Sequence, residues 1–144
     1  MKSNLNLNQL VELAGDAIMV CDAAGFIVLW NKASERIFGF TEEEALGKSL
    51  DIIIPQRQQA RHWEGYHKTM ATAVTKYGAD VLRVPALHKD GHALSIAFTV
   101  ALLRGPDDSS WIIAATIRDE TARWQEERAL KQRVAALEAK SRGQ

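Results

Sequence analysis

Residues 22–55 read DAAGFIVLWNKASERIFGFTEEEALGKSLDIIIP. Asp22 precedes Ala23-Ala24-Gly25, and the apolar runs 17–22 (AIMVCD) and 26–30 (FIVLW) lie on either side. An aspartate in front of a short turn and a glycine at its end is hairpin chemistry, so the two runs read as antiparallel strands. Asn31 is placed to cap a helix whose apolar positions are Ala33, Ile37 and Phe38, with Gly39 ending it. Thr41 and Glu44 have capping-box spacing, and three acids fill the first turn, where the helix dipole favours them. Gly47 ends that short helix. Residues 50–54 (LDIII) are too short to classify by period. Pro55 suits a helix start, because its missing N–H would be unpaired there anyway.

Working outward, residues 55–74 read as one long helix and wall of the core, carrying His62, Trp63, Gly65, Tyr66 and His67. Beyond it, strands are expected at about 80–88, 92–103 and 110–118, with turn signals at Lys89-Asp90-Gly91 and Gly105-Pro106-Asp107-Asp108. Pro85 cannot donate to a ladder, which puts the first of these strands at an edge or near a bulge. In the second, Leu94, Ile96, Phe98, Val100 and Leu102 alternate with small residues, so one face is apolar. Upstream, residues 5–13 fit a short amphipathic helix stopped at Gly15. Downstream, residues 120–144 are rich in helix formers, and Leu130, Val134 and Leu137 step by four and three as a coiled-coil seam does. The sum is an α+β fold: a five-stranded antiparallel sheet, helices on one face enclosing a pocket, and a flanking helix at each end. The expected boundaries are 1–14 for the first flanking helix, 15–121 for the domain and 122–144 for the last helix.

The totals agree with one globular domain: 144 residues, 47% hydrophobic and 25% charged. Eighteen basic residues balance eighteen acidic ones, so charge offers no argument for nucleic acid or an anionic membrane. The single cysteine, Cys21, can form no internal disulfide, and no Cys pair exists for zinc. The first fifteen residues lack the apolar run of a signal peptide, and no run approaches a bilayer span. A cytoplasmic protein is expected. Catalytic signatures such as G-x-S-x-G, a P-loop or H-E-x-x-H are absent, so no enzyme is expected.

Asp22, Gly25, Asn31, Ala33, Gly39, Phe40, Glu43 or Glu44, Gly47 and Pro55 together resemble the first half of a PAS domain. Lys89-Asp90-Gly91 and Arg118-Asp119-x-Thr121 resemble its second half, over roughly residues 8–121. The resemblance implies the PAS fold and a bacterial-type sensory or dimerisation module. Its ligands across the family include haem, flavins, small carboxylates and aromatics, and many members have no known ligand. The LOV type needs a cysteine in a G-x-N-C-R-F-L-Q context. That motif is absent, and Cys21 reads as a core residue.

The resemblance extends to haem-binding PAS oxygen sensors, whose proximal histidine follows the helix-opening proline. His62, seven residues after Pro55, matches that placement and is the implied metal ligand. The arginine those sensors carry on the next strand corresponds here to Leu82, with Arg83 one residue off. Gly65 would admit a flat ring at the helix surface. His67 is a competing ligand and Met70 a further axial candidate. His67 shares a stripe with Trp63, Met70 and Val74, whereas His62 shares a face with Tyr66, Thr69 and Ala73. One of those two faces is expected to point inward. Haem, a flavin behind it, and a cofactor-free interaction module therefore all stand. His88 and His92 read as a solvated turn, with zinc on His88, Asp90 and His92 as an alternative that lacks a fourth ligand. A homodimer through the flanking helices, with an effector elsewhere, is the expected partnership.

Overall fold

The computed structural model describes residues 5–74, 80–106 and 110–143. In chain order the elements are α1 (Leu7–Leu13), β1 (Ala17–Cys21), β2 (Ile27–Trp30), α2 (Lys32–Phe38), α3 (Glu42–Ala45), a 3-10 turn (Leu50–Ile53) and α4 (Gln56–Thr72). Then follow β3 (Leu82–Leu87), β4 (Ala93–Arg104), β5 (Trp111–Asp119) and α5 (Thr121–Arg142). The five strands form one antiparallel sheet in the order β2-β1-β5-β4-β3. The first and last strands of the chain's sheet sequence thus meet at its centre, and β3 with Pro85 lies at an edge, as its missing donor requires.

Local chemistry accounts for most of this order. In the β1–β2 turn, Asp22 Oδ1 accepts from the backbone N–H groups of Ala24 and Phe26, at 3.0 and 2.9 Å. Gly25 takes φ +90°, which a side chain would resist. The capping box of Thr41 and Glu44 is formed, and Asn31 caps α2. The unclassified LDIII stretch becomes the 3-10 turn, capped by Ser49. Asp107 and Asp108 of the β4–β5 turn lie outside the described residues.

Asn31 does more than cap. Its side chain is buried and makes five hydrogen bonds. Oδ1 accepts from Ile18 N (2.9 Å), Ser34 N (3.0 Å) and Ser34 Oγ (2.9 Å). Nδ2 donates to Val11 O (2.8 Å) and Asp16 O (3.1 Å). One amide therefore joins α1, β1 and α2.

The core lies on the helix-covered side of the sheet. Ala17, Met19 and Cys21 of β1, Ile117 of β5, and Leu94 and Ile96 of β4 meet Trp30, Phe38, Ile53 and Tyr66 there. Phe98 packs against the same cluster, so the apolar face of β4 is the inner one. Trp30 belongs to this core, its Nε1 donating to Phe40 O at 2.9 Å. Trp111 lies under the Arg104 guanidinium, 4.0 Å from its ring centroid.

At the far end, α5 is rooted in the sheet by a few bonds. Thr121 donates twice to Asp119 Oδ1, from its backbone N at 2.9 Å and from Oγ1 at 2.5 Å. Ser95 N donates to Thr121 Oγ1 at 3.0 Å, Glu120 N donates to Ser95 O at 2.8 Å, and Arg83 pairs with Glu120 at 3.2 Å. Beyond this root α5 buries nothing, and Leu130, Val134 and Leu137 are exposed.

Candidate functional site

Pro55 precedes α4, which runs 17 residues and turns its inner face toward the sheet. Tyr66 is buried at the centre of that face, with His62, Trp63 and Met70 half-buried around it. His67 and Val74 are exposed. The inward arc therefore takes His62 and Tyr66 from one expected stripe and Trp63 and Met70 from the other. The expectation that a single stripe would face in is corrected: steps of three and four from one central residue collect both flanks. The close approach expected at Gly65 also fails. This residue is exposed, and nothing lies within 4 Å of where a Cβ would stand.

Three contacts clasp α4 to the first half of the domain. The Tyr66 hydroxyl donates to Asp22 O at 2.5 Å, in the β1–β2 turn. Trp63 Nε1 donates to Asp51 Oδ1 at 2.6 Å, in the 3-10 turn. The Trp63 ring rests on bare Gly25, where an added Cβ would stand 2.2 Å from Cη2. Burial pushes the Tyr66 hydroxyl up from its ordinary range, so it stays a donor. Burial, helped by Asp22, pushes the Cys21 thiol up to about 12, so it stays a neutral core group.

His62 sits beside this clasp. Its ring centroid is 4.5 Å from that of Trp63, edge-on, and 5.7 Å from that of Tyr66. Its Nδ1 is buried and has no hydrogen-bond partner among the described residues. An unpaired buried polar atom costs about 1–3 kcal/mol, so its persistence calls for a reason. Burial holds the imidazole below its usual range, with Asp51 opposing and His67 reinforcing that shift. The ring is thus neutral at pH 7, the state able to take a hydrogen bond, a proton or a metal.

Leu82 is half-buried on edge strand β3, opposite Phe98 on β4, while Arg83 is exposed and paired with Glu120. Haem would need a flat slot beside His62. Trp63, seated on Gly25, and Tyr66, bonded to Asp22, flank the His62 ring, and an open groove elsewhere on the surface is lined by Pro55, Gln56, Arg57 and Leu87. Among the described residues the chain supplies a ligand atom for iron, with Trp63 and Tyr66 packed beside it where a porphyrin would lie. The unpaired Nδ1 itself was beyond sequence reasoning, because it depends on which neighbours the fold withholds.

The family model described as the PAS fold matches residues 5–119. The chain belongs to the PAS family. Among curated relatives, an uncharacterised protein of Azorhizobium caulinodans is 32% identical over 123 residues, covering 85% of this chain and 16% of that protein. The sensor protein FixL of Bradyrhizobium diazoefficiens is 37% identical over 57 residues, or 40% of this chain and 11% of that protein. The PAS chain thus spans a sixth or less of the curated relatives it matches. Among solved structures, a PAS domain from Colwellia psychrerythraea superposes with TM-score 0.68 at 27% identity, covering 81% of this chain and 95% of that one. An RNA-binding light-oxygen-voltage receptor at 21% identity, TM-score 0.67, covering 90% of this chain and 36% of that one, shares the fold. No helix among the described residues is long and apolar enough to cross a membrane.

Proposed function

We propose that this chain is the sensory module of a signal-transduction protein, with the inner face of α4 as its sensing element and α5 as its output. The observation that carries this reading is the buried, unpaired Nδ1 of His62 beside the Trp63–Tyr66 clasp. A small polar ligand that pairs with Nδ1 gains the hydrogen bond the protein leaves unmade, about 1–3 kcal/mol. Admitting it displaces Trp63 or Tyr66, which hold the β1–β2 and 3-10 turns. A ligand that binds the displaced arrangement better shifts the population toward it, and β5 carries the shift to Thr121.

The test is ring-nitrogen and amide NMR of the full chain during a screen of small polar ligands. A ligand that shifts the His62 ring nitrogens should also shift amides 119–124, and both responses should vanish in His62→Phe. Shifts confined to α4 would refute the relay. Expression with ample haem is the companion experiment. A Soret band lost in His62→Ala would overturn the self-filled interior and restore a haem sensor.

A second reading rests on a separate observation. Leu7, Leu10 and Leu13 of α1, with Leu5 before it, and Leu130, Val134 and Leu137 of α5 are all more than half exposed. We propose that these faces pair with a second copy of the chain. Sedimentation should give a dimer that Leu130→Asp with Leu137→Asp weakens. A monomer in both forms would refute pairing through α5.

A further inference from the structure

The β3–β4 turn gathers two imidazoles and a carboxylate that the sensing face does not use. His88 N donates to His92 O at 3.0 Å and Gly91 N to His88 O at 2.9 Å, so residues 88 and 92 face each other across a three-residue turn. Their rings stack at 4.5 Å. Asp90 folds back between them, its Oδ1 3.2 Å from His88 Nδ1 and 2.5 Å from His92 Nδ1. One ligating atom from each residue lies within 4.8 Å of the others.

His88 is held in place rather than merely near. A Cβ at Gly39 would stand 2.5 Å from His88 Cε1 and 2.6 Å from Nε2, so only a bare glycine leaves room for this ring. Lys89 N donates to Phe38 O at 2.8 Å, and Lys89 pairs with Glu44, which braces the turn on α2 and α3. With Nε2 against Gly39, Nδ1 is the nitrogen turned to Asp90. It accepts the Asp90 N–H at 3.1 Å, so its lone pair points into the turn, and an incoming metal ion would replace that bond. The Asp90 and His92 side chains are 61% and 55% exposed, which leaves the site open to an incoming ion.

We propose that His88, Asp90 and His92 bind one divalent transition-metal ion of the zinc class. Two imidazole nitrogens and a carboxylate oxygen are borderline donors suited to Zn²⁺, and three protein ligands leave a fourth position for water. Tetrahedral bonds of about 2.0–2.1 Å place ligand atoms ~3.3 Å apart. The His88–Asp90 pair, at 3.2 Å, already has that spacing, and His92 Nδ1, 2.5 Å from Asp90 Oδ1 on an exposed ring, would move outward to reach it. The bound ion would clip the two strands together at the end resting on α2.

Titrating the metal-stripped full chain with Zn²⁺ by calorimetry tests the site. One equivalent should bind, with affinity at least about tenfold lower in Asp90→Asn and in His92→Ala. Both altered side chains are largely exposed, and circular dichroism should show the fold intact. His62→Ala with His67→Ala should bind as the parent does, which separates this site from the sensing face. No binding, binding undiminished in His92→Ala, or binding lost with His62 would each overturn the proposal.

Discussion

Replacing Asn31 with alanine should be among the most damaging single changes outside the inner face of α4. Four backbone groups would lose their side-chain partner: Ile18 N, Ser34 N, Val11 O and Asp16 O. Losing the α2 cap costs about 0.5–2 kcal/mol. Each backbone group left unpaired away from water costs about 1–3 kcal/mol, and part of that is recovered where water reaches Val11 and Asp16. A net loss of roughly 3–5 kcal/mol follows. For a domain stable by about 5–15 kcal/mol, that is enough to unfold a substantial fraction or to leave a marginal fold. Urea unfolding followed by circular dichroism and by tryptophan fluorescence should show the midpoint falling with little change in slope. Asn31→Asp supplies a contrast, since it keeps the three accepted bonds and loses the two donated ones. It should destabilise by loosening α1 in particular, read as faster amide exchange at residues 7–13. An alanine variant within about 1 kcal/mol of the parent would refute the claim that this amide joins three elements.

Gly65→Ala should stabilise by up to about 1 kcal/mol in chemical denaturation, because the position is helical, exposed and free of neighbours. A loss instead would mean that a ring or another surface does approach there. Gly25→Ala should do the opposite and cost roughly 3 kcal/mol or more, from a left-handed φ and eviction of Trp63 from Asp51, with a matching change in tryptophan emission. Acidification should weaken the fold through His62. Its folded value lies below the unfolded one of about 6.5, so the unfolded chain binds more protons, and stability falls as pH drops from about 6.5 toward the folded value. His62→Phe should flatten that slope between pH 7 and 5, and an unchanged slope would assign it to other groups.

Most of the fold was legible because its signals are local. Asp22 and Gly25, Asn31, Thr41 with Glu44, and the alternation from Leu94 to Leu102 each state an element through short-range chemistry, and the edge position of Pro85 follows from one missing donor. What the residues did not disclose is set by neighbours distant in the chain. Gly65 and Gly25 are both glycines, yet the first faces solvent and the second lies under Trp63, 38 positions away. Periodicity divided α4 into two stripes, but the arc that faces the sheet is decided by the reach of Tyr66 to Asp22. The His88–Asp90–His92 grouping was visible as a spacing. That His88 is pinned by Gly39 was not, because helix α2 must first dock against the turn.

The root of α5 carries a mechanical consequence. A 22-residue helix is about 33 Å long, and it is held to the sheet over little more than its first turn. A shift of about 1 Å across a base one turn long, 5.4 Å, tilts it by roughly 10° and carries its tip about 6 Å. The joint at Ser95, Asp119, Glu120 and Thr121 thus acts as a lever fulcrum, with a gain of about six between strand and tip. Displacements in β4 or β5 too small to disturb the core would be large at the helix end.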